Sequence, residues 1–385
     1  MATRVAALTR VIPIPRESSA NRILAIDALR GVALAVMALE HAAFFSGAGV
    51  TAETYGGHPA VLESWPHWIS GLLTNLSTPT FWLLSGVSMA LFVASRRKRH
   101  ESEWSITRYL LTRASLILLL DLSLVNALLI GKAGAYYHAL TGLAVSMALL
   151  SILRLLPLRA FLALTLGVLL GYQGLLGVIE PHLGQPQGFW QALWLTYRNH
   201  PQMALGFPVL GWFSLMGLGF VLGQRLSSPT LQRPRTWVGI GGILLSIWLA
   251  LRLAGGYGDL TPYVPGAHWY YFLIMSKVPP SLSYQSFNLG LSALIFAALC
   301  DWNGYLELPP LQWLVAYGQV PLFFFIVHIA IYRVLGTIAR ALPLPIPGLV
   351  RSYIVWLIGL MVLVPLARGY RRLRQSHPNS PLRYL

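Results

Sequence analysis

The chain has 385 residues, 56% of them hydrophobic and only 10% charged, with a mean hydropathy of +0.61. That composition excludes an ordinary water-soluble domain and reads as a protein that crosses a membrane many times. The net charge of +16 does not point to nucleic acid, because the basic residues stand in short clusters between apolar runs, as in cytoplasmic membrane loops.

A bilayer core takes roughly 20 apolar residues per helix. Runs of that kind stand at 22–45, 68–94, 107–130, 138–156, 160–179, 205–224, 236–254, 284–300, 312–336 and 349–367. The fold expected is all-α: a polytopic transmembrane helical bundle of about ten spans, one membrane domain over 22–367 between basic tails at 1–21 and 368–385. Residues 1–21, with Arg4, Arg10 and Arg16, read as a tail rather than a cleaved signal, since the run that follows is long and carries charges. With both termini cytoplasmic, the basic clusters, "RRKRH" at 96–100 and the closing "RGYRRLRQ" among them, fall inside, and the outer loops keep only Lys132, Arg198, Lys277 and Arg340. The expected location is the cytoplasmic (inner) membrane.

The first run, "RILAIDALRGVALAVMALEHAAFF", holds ionisable groups at both mouths. Arg30 and His41 are eleven residues apart, about 16 Å along a helix, so they address opposite halves of the bilayer. Asp27 and Arg30, three apart, can neutralise each other, or Arg30 can bind an anion. Glu40 and His41 point about 100° apart and need not act together. His41 is either a headgroup-level histidine bonded to a carbonyl or a catalytic base or nucleophile.

In the second run the polar stretch Thr74, Asn75, Ser77, Thr78 and Thr80 surrounds Pro79, which breaks or kinks a helix and suits a cavity wall. Ser85, Gly86 and Ser88 read as close helix packing. Asp121 in the third run requires a partner, a proton or a water-filled cavity, and Arg113 lies two turns before it. The long outer loops, 180–204 and 255–283, are rich in Trp, Tyr, His and Pro, and Lys277 in "SKVPPSL" is either a substrate contact or a solvated charge. Cys300, the single cysteine, rules out an internal disulfide. His328 lies mid-run beyond Pro321, as a functional group or a hydrogen-bonded core histidine. No Walker loop, G-x-S-x-G elbow or H-E-x-x-H pair is present, and no metal site is expected from the ten histidines.

Read together, "IDALRGVALAVMALEHA", "STPTFWLLSGVS", "FPVLGWFSLMGLGFVLG", "SKVPPSL", "YGQVPLFFFIVHIAI" and "PLARGYRRLRQSHPNSPLRYL" resemble the bacterial branch of the heparan-α-glucosaminide N-acetyltransferase catalytic-domain family. The opening R-G and the His ten residues after that Gly also resemble acyltransferase family 3 membrane enzymes, in which a first-helix His takes part in catalysis. The resemblance implies a multi-pass enzyme that moves an acetyl or other acyl group from cytoplasmic acetyl-CoA to an amino- or hydroxy-sugar of an envelope glycan. It implies His41, then His328, then His67 as catalytic histidines with Glu40 beside them, and Arg30, Asp27 and Arg113 at the CoA phosphates. Asn75, Thr78, Asp121 and Lys277 would line the substrate cavity. The chain departs from the family in having Glu40-His41 where Asp-His is usual, Asn75 where a His often stands, and only His58 and His67 in the first outer loop, where the eukaryotic member carries its histidine. Membrane lipids and a second copy of the chain are admissible partners; nucleic acid is not. The rival expectation is a transporter or flippase for a lipid-linked sugar, against which stands the lack of a repeat around Pro79 and Pro321.

Overall fold

A computed structural model describes residues 19–385 apart from 51, 56–59, 61–63, 135, 180–187, 199, 201–202, 267, 378–379 and 385. His58 therefore lies outside the described residues. The helices are α1 (Ser19–Ser46), α2 (Trp65–Thr74), α3 (Ser77–Lys98), α4 (Glu103–Leu120), α5 (Asn126–Ile130), α6 (Ala139–Leu153) and α7 (Leu158–Ile179). The chain continues through α8 (Phe189–Trp194), α9 (Val209–Arg225), α10 (Pro234–Ala254), α11 (Leu282–Asp301), α12 (Leu311–Gly318), α13 (Pro321–Ala341) and α14 (Gly348–Ser376). Among the described residues four short strands, β1 (Glu53–Tyr55), β2 (Tyr136–Tyr137), β3 (Ala204–Leu205) and β4 (Met275–Val278), pair in parallel as β1 with β4 and β2 with β3.

The bundle is all-α, and eight of its described segments are long and apolar enough to span a bilayer. Two expected runs fall short. The 138–156 run makes the 15-residue α6 and the 205–224 run the 17-residue α9. Asp121 caps α6 at its start, and Pro208 sets the start of α9. The second expected run is two helices meeting at Asn75, and the ninth breaks between Gly318 and Pro321, which opens α13 as a first-turn proline should.

α1 occupies the centre, packed on by α3, α11, α12, α13 and α14. Glycine makes these approaches possible. A Cβ on Gly31 would strike the carbonyl of Leu314, and one on Gly318 would strike the carbonyl of Asp27, so α1 and α12 touch backbone to backbone. Gly86 and Gly219 do the same for α3 and α9, against Met216 and Leu83. In a bilayer, where apolar burial drives no helix association, such van der Waals contact is what holds helices together. α7, α10 and α14 lie outside, their apolar residues largely exposed as lipid-facing helices require.

Candidate active site

His41 and His328 meet at the centre of the bundle. His328 Nε2 lies 2.9 Å from His41 Nδ1, and His328 Nδ1 lies 2.9 Å from the carbonyl of Phe324 one turn back on α13. A carbonyl only accepts, so a neutral His328 carries its proton on Nδ1 and offers a lone pair at Nε2. That lone pair in turn requires His41 to donate from Nδ1. The Nε2 of neutral His41 is therefore left with a free lone pair. His328 is completely buried, whereas His41 keeps partial access.

Glu40, on the adjoining face of α1, turns away from this pair toward Lys277. The Lys277 ammonium, 2% exposed, stands 3.0 Å from Glu53 and 3.4 Å from Glu40. The β1–β4 pairing makes this cluster by holding Glu53 opposite Met275, two residues before Lys277, while Ala52 N donates to Glu53 at 2.9 Å. Burial pulls the lysine down, but the two carboxylates more than offset it and hold Lys277 well above its ordinary range. Glu53 is pushed up, first by burial and then by Glu40, against the opposing pull of Lys277. Tyr284, donating to the Asn75 carbonyl at 3.0 Å, closes this side of the site.

Toward the basic end, Arg30 uses three of its five donors: Nη1 donates to Asp27 at 2.8 Å and to the Gly318 carbonyl at 2.7 Å, and Nη2 to Ser88 at 2.7 Å. It ties α1 to α3 and α12. Arg30 and Arg113 line one cavity of about 90 Å³ between α3, α4, α6 and α13, and Arg113 Nε is buried with no hydrogen-bond partner. A smaller cavity of about 30 Å³ shares Phe81, Leu140, Leu143 and Phe325 with it and continues to Met37 and Thr78. The two trace a line from the arginines to the turn below His41, broken by aromatic rings.

Of the expected residues, the structure thus gathers His41, His328, Glu40, Lys277, Asn75 and Thr78 at one end, and Asp27, Arg30 and Arg113 at the other. Asp121 stands apart: its Oδ2 accepts from His138 N at 3.1 Å, Thr141 N at 2.9 Å and Thr141 Oγ1 at 2.6 Å, which makes it the N-terminal cap of α6. His67 sits in the first turn of α2, its Nδ1 2.6 Å from Ser64 Oγ, outside the imidazole pair. Glu53 and Tyr284 are the members that sequence reasoning missed. A lone carboxylate in an outer loop gives no signal until a strand pairing brings it beneath Lys277.

The chain matches the model of the family described as heparan-alpha-glucosaminide N-acetyltransferase, catalytic, over residues 22–252, well over half its length. It belongs to that family. The match runs from α1 through α10 and so contains Arg30, His41 and Arg113, while Lys277 and His328 lie beyond it. No curated protein matches the chain. Membership makes this a multi-pass membrane acetyltransferase and ranks acyl transfer above transport as the use of the intramembrane charges.

Proposed function

We propose that the protein transfers an acetyl group from acetyl-CoA, entering at the basic end, to the amino or hydroxyl group of a sugar in an extracytoplasmic glycan. The observation that carries this reading is the His41–His328–Phe324 chain, which leaves His41 Nε2 unprotonated on the residue one helical turn past Met37, where the cavity line from Arg113 ends. The clustering of Arg96, Arg97, Lys98 and the α14 arginines at the same end as Arg30 supports a cytoplasmic donor mouth.

The residues present suit the donor. Arg113 has an unpartnered Nε and Arg30 shares its cavity, a pair of guanidinium groups apt for phosphate. Because that cavity is far smaller than the few hundred Å³ of a typical ligand site, entry of the pantetheine arm displaces the rings of Phe81 and Phe325. The bound donor supplies an activated thioester carbonyl. His41 Nε2 takes the proton from the acceptor nitrogen or oxygen as that atom bonds to the carbonyl carbon. The C–S bond then breaks, and His41 returns the proton to the departing sulfur. His328 holds His41 in the tautomer that can do this, and Glu40, 30% exposed, is the acceptor-side carboxylate positioned by Lys277. A route through an acyl-imidazole uses the same lone pair.

The test is transfer of label from radiolabelled acetyl-CoA to a panel of hexosamines by purified protein, with Arg113→Ala alongside. The reading expects turnover in the wild type and a raised KM for acetyl-CoA in the variant with kcat nearly kept. A wild type that neither binds nor turns over acetyl-CoA or longer acyl-CoAs removes it.

A further inference from the structure

A second cavity, of about 380 Å³, opens at the basic end on the far side of α12 from the arginine-lined one. Its walls are the start of α1, the turn at Leu306–Glu307, α12 and the last turns of α14. Its polar lining is Arg368, Arg371, Glu307, Gln312 and Gln319; Leu24, Val315, Ala316 and Ala367 supply an apolar floor. Nothing in the acyl-transfer reading uses it.

Three features describe the ligand. Arg368 and Arg371 lie three residues apart on one face of α14, with the single carboxylate of Glu307 opposite, so the lining favours an anion. Arg368 spends one nitrogen on Gln312 Oε1 at 2.6 Å and keeps its other donors, and Arg371 is exposed at the mouth. On the arginine face of the same helix, further toward the membrane centre, Met361 is 56% and Leu357 51% exposed, a bare apolar stripe seven and eleven residues before Arg368. A molecule with a phosphate at the arginines and hydrocarbon along that stripe satisfies both ends. Basic pockets between membrane helices at the cytoplasmic side hold anionic headgroups in this way.

We infer that this cavity binds an anionic glycerophospholipid, its phosphate between Arg368 and Arg371, its headgroup hydroxyls toward Glu307, and its acyl chains along α14. The site also has a route to the donor mouth. Gln319, in its wall, follows Gly318, whose carbonyl accepts from Arg30 at 2.7 Å. The inference does not depend on the acyl-transfer reading, because a lipid can bind whether or not acetyl-CoA is turned over.

The experiment is native mass spectrometry of the full chain titrated with phosphatidylglycerol or phosphatidylcholine of matched acyl chains, for wild type and R368Q/R371Q. Inorganic phosphate and adenosine 3′,5′-diphosphate serve as competitors. The expected result is tighter binding of phosphatidylglycerol by the wild type and a loss of roughly 25-fold in the double variant, about fivefold per arginine near a membrane surface. Phosphatidylcholine binding should not change. Arg371 is exposed, and half-buried Arg368 bonds only the exposed Gln312, so the variant folds; Ala316→Phe, which fills the floor, gives a second route to the same loss. Equal affinity for the two lipids, or undiminished phosphatidylglycerol binding in both variants, overturns the proposal. So does displacement of the lipid by the adenosine diphosphate at matched occupancy, which would hand the cavity to a nucleotide; inorganic phosphate acting as well as the lipid would reduce it to a simple anion site and overturn it too.

Discussion

Replacing Lys277 by Met deletes the ammonium 3.0 Å from Glu53 while leaving that carboxylate 1% exposed, with the Ala52 amide as its remaining bond. Removing one partner of a buried pair costs about 3–5 kcal/mol, because the other charge stays buried without compensation. Glu40, 30% exposed, remains solvated and adds little, so the lower end, about 3 kcal/mol near pH 8, is the expected loss. The pH dependence has a definite sign. Burial already raises Glu53, and loss of Lys277 removes an attraction that holds it down. A carboxyl raised in the folded state binds its proton more tightly there than when unfolded. K277M should therefore be least impaired in acid, below the unfolded glutamate value of about 4.3, and should lose stability as pH rises from there through the raised folded value. Adding Glu53→Gln removes the unpaired charge, and K277M/E53Q should return to within about 1 kcal/mol of wild type. Denaturant unfolding in detergent, followed by tryptophan fluorescence at pH 5 and pH 8, measures all of this. Wild-type stability of K277M at pH 8, or a double variant no better than the single, refutes the reasoning.

Gly31→Ala and Gly219→Ala each drive a methyl into a facing carbonyl and should cost about 1–3 kcal/mol in the same assay, whereas Gly239→Ala, with open space at its Cβ, should be neutral or slightly stabilising. Asp121→Ala strips the cap from α6 and should lower stability by about 1–2 kcal/mol with the KM for acetyl-CoA unmoved; a KM change would return Asp121 to the substrate cavity. His328→Leu removes the acceptor of the His41 Nδ1 proton and should lower kcat by about 10²-fold, the low end of a general-base contribution, again at unchanged KM for the donor. Steady-state kinetics at equal folded yield reads both.

Much of the fold was legible because apolar runs of bilayer length have one physical use. The breaks at Asn75 and between Gly318 and Pro321 were signalled by Pro79 and Pro321, though Pro79 ended up in the first turn of α3 rather than at the break itself. Length alone misjudged α6 and α9, whose runs continue into capping and turn residues that composition cannot separate from helix. At the site, residue types were readable and their partners were not. His41 and His328 stood out as intramembrane histidines, yet the bond between them spans 287 positions of sequence and depends on how α13 crosses α1. Asp121 was rightly singled out as an acid needing partners; those partners are backbone amides and a threonine, which no charge pattern reveals. Ser88 read as packing and proved a ligand of Arg30, since a hydroxyl on a tight helix face serves both roles.

The central claim is that His41 Nε2 moves the proton during acyl transfer, and it is tested most directly by His41→Ala assayed for label transfer from acetyl-CoA at equal folded yield. The account predicts a fall in kcat of about 10²–10⁴-fold with donor binding retained. A variant that keeps kcat close to wild type would contradict it and leave the paired imidazoles a structural role.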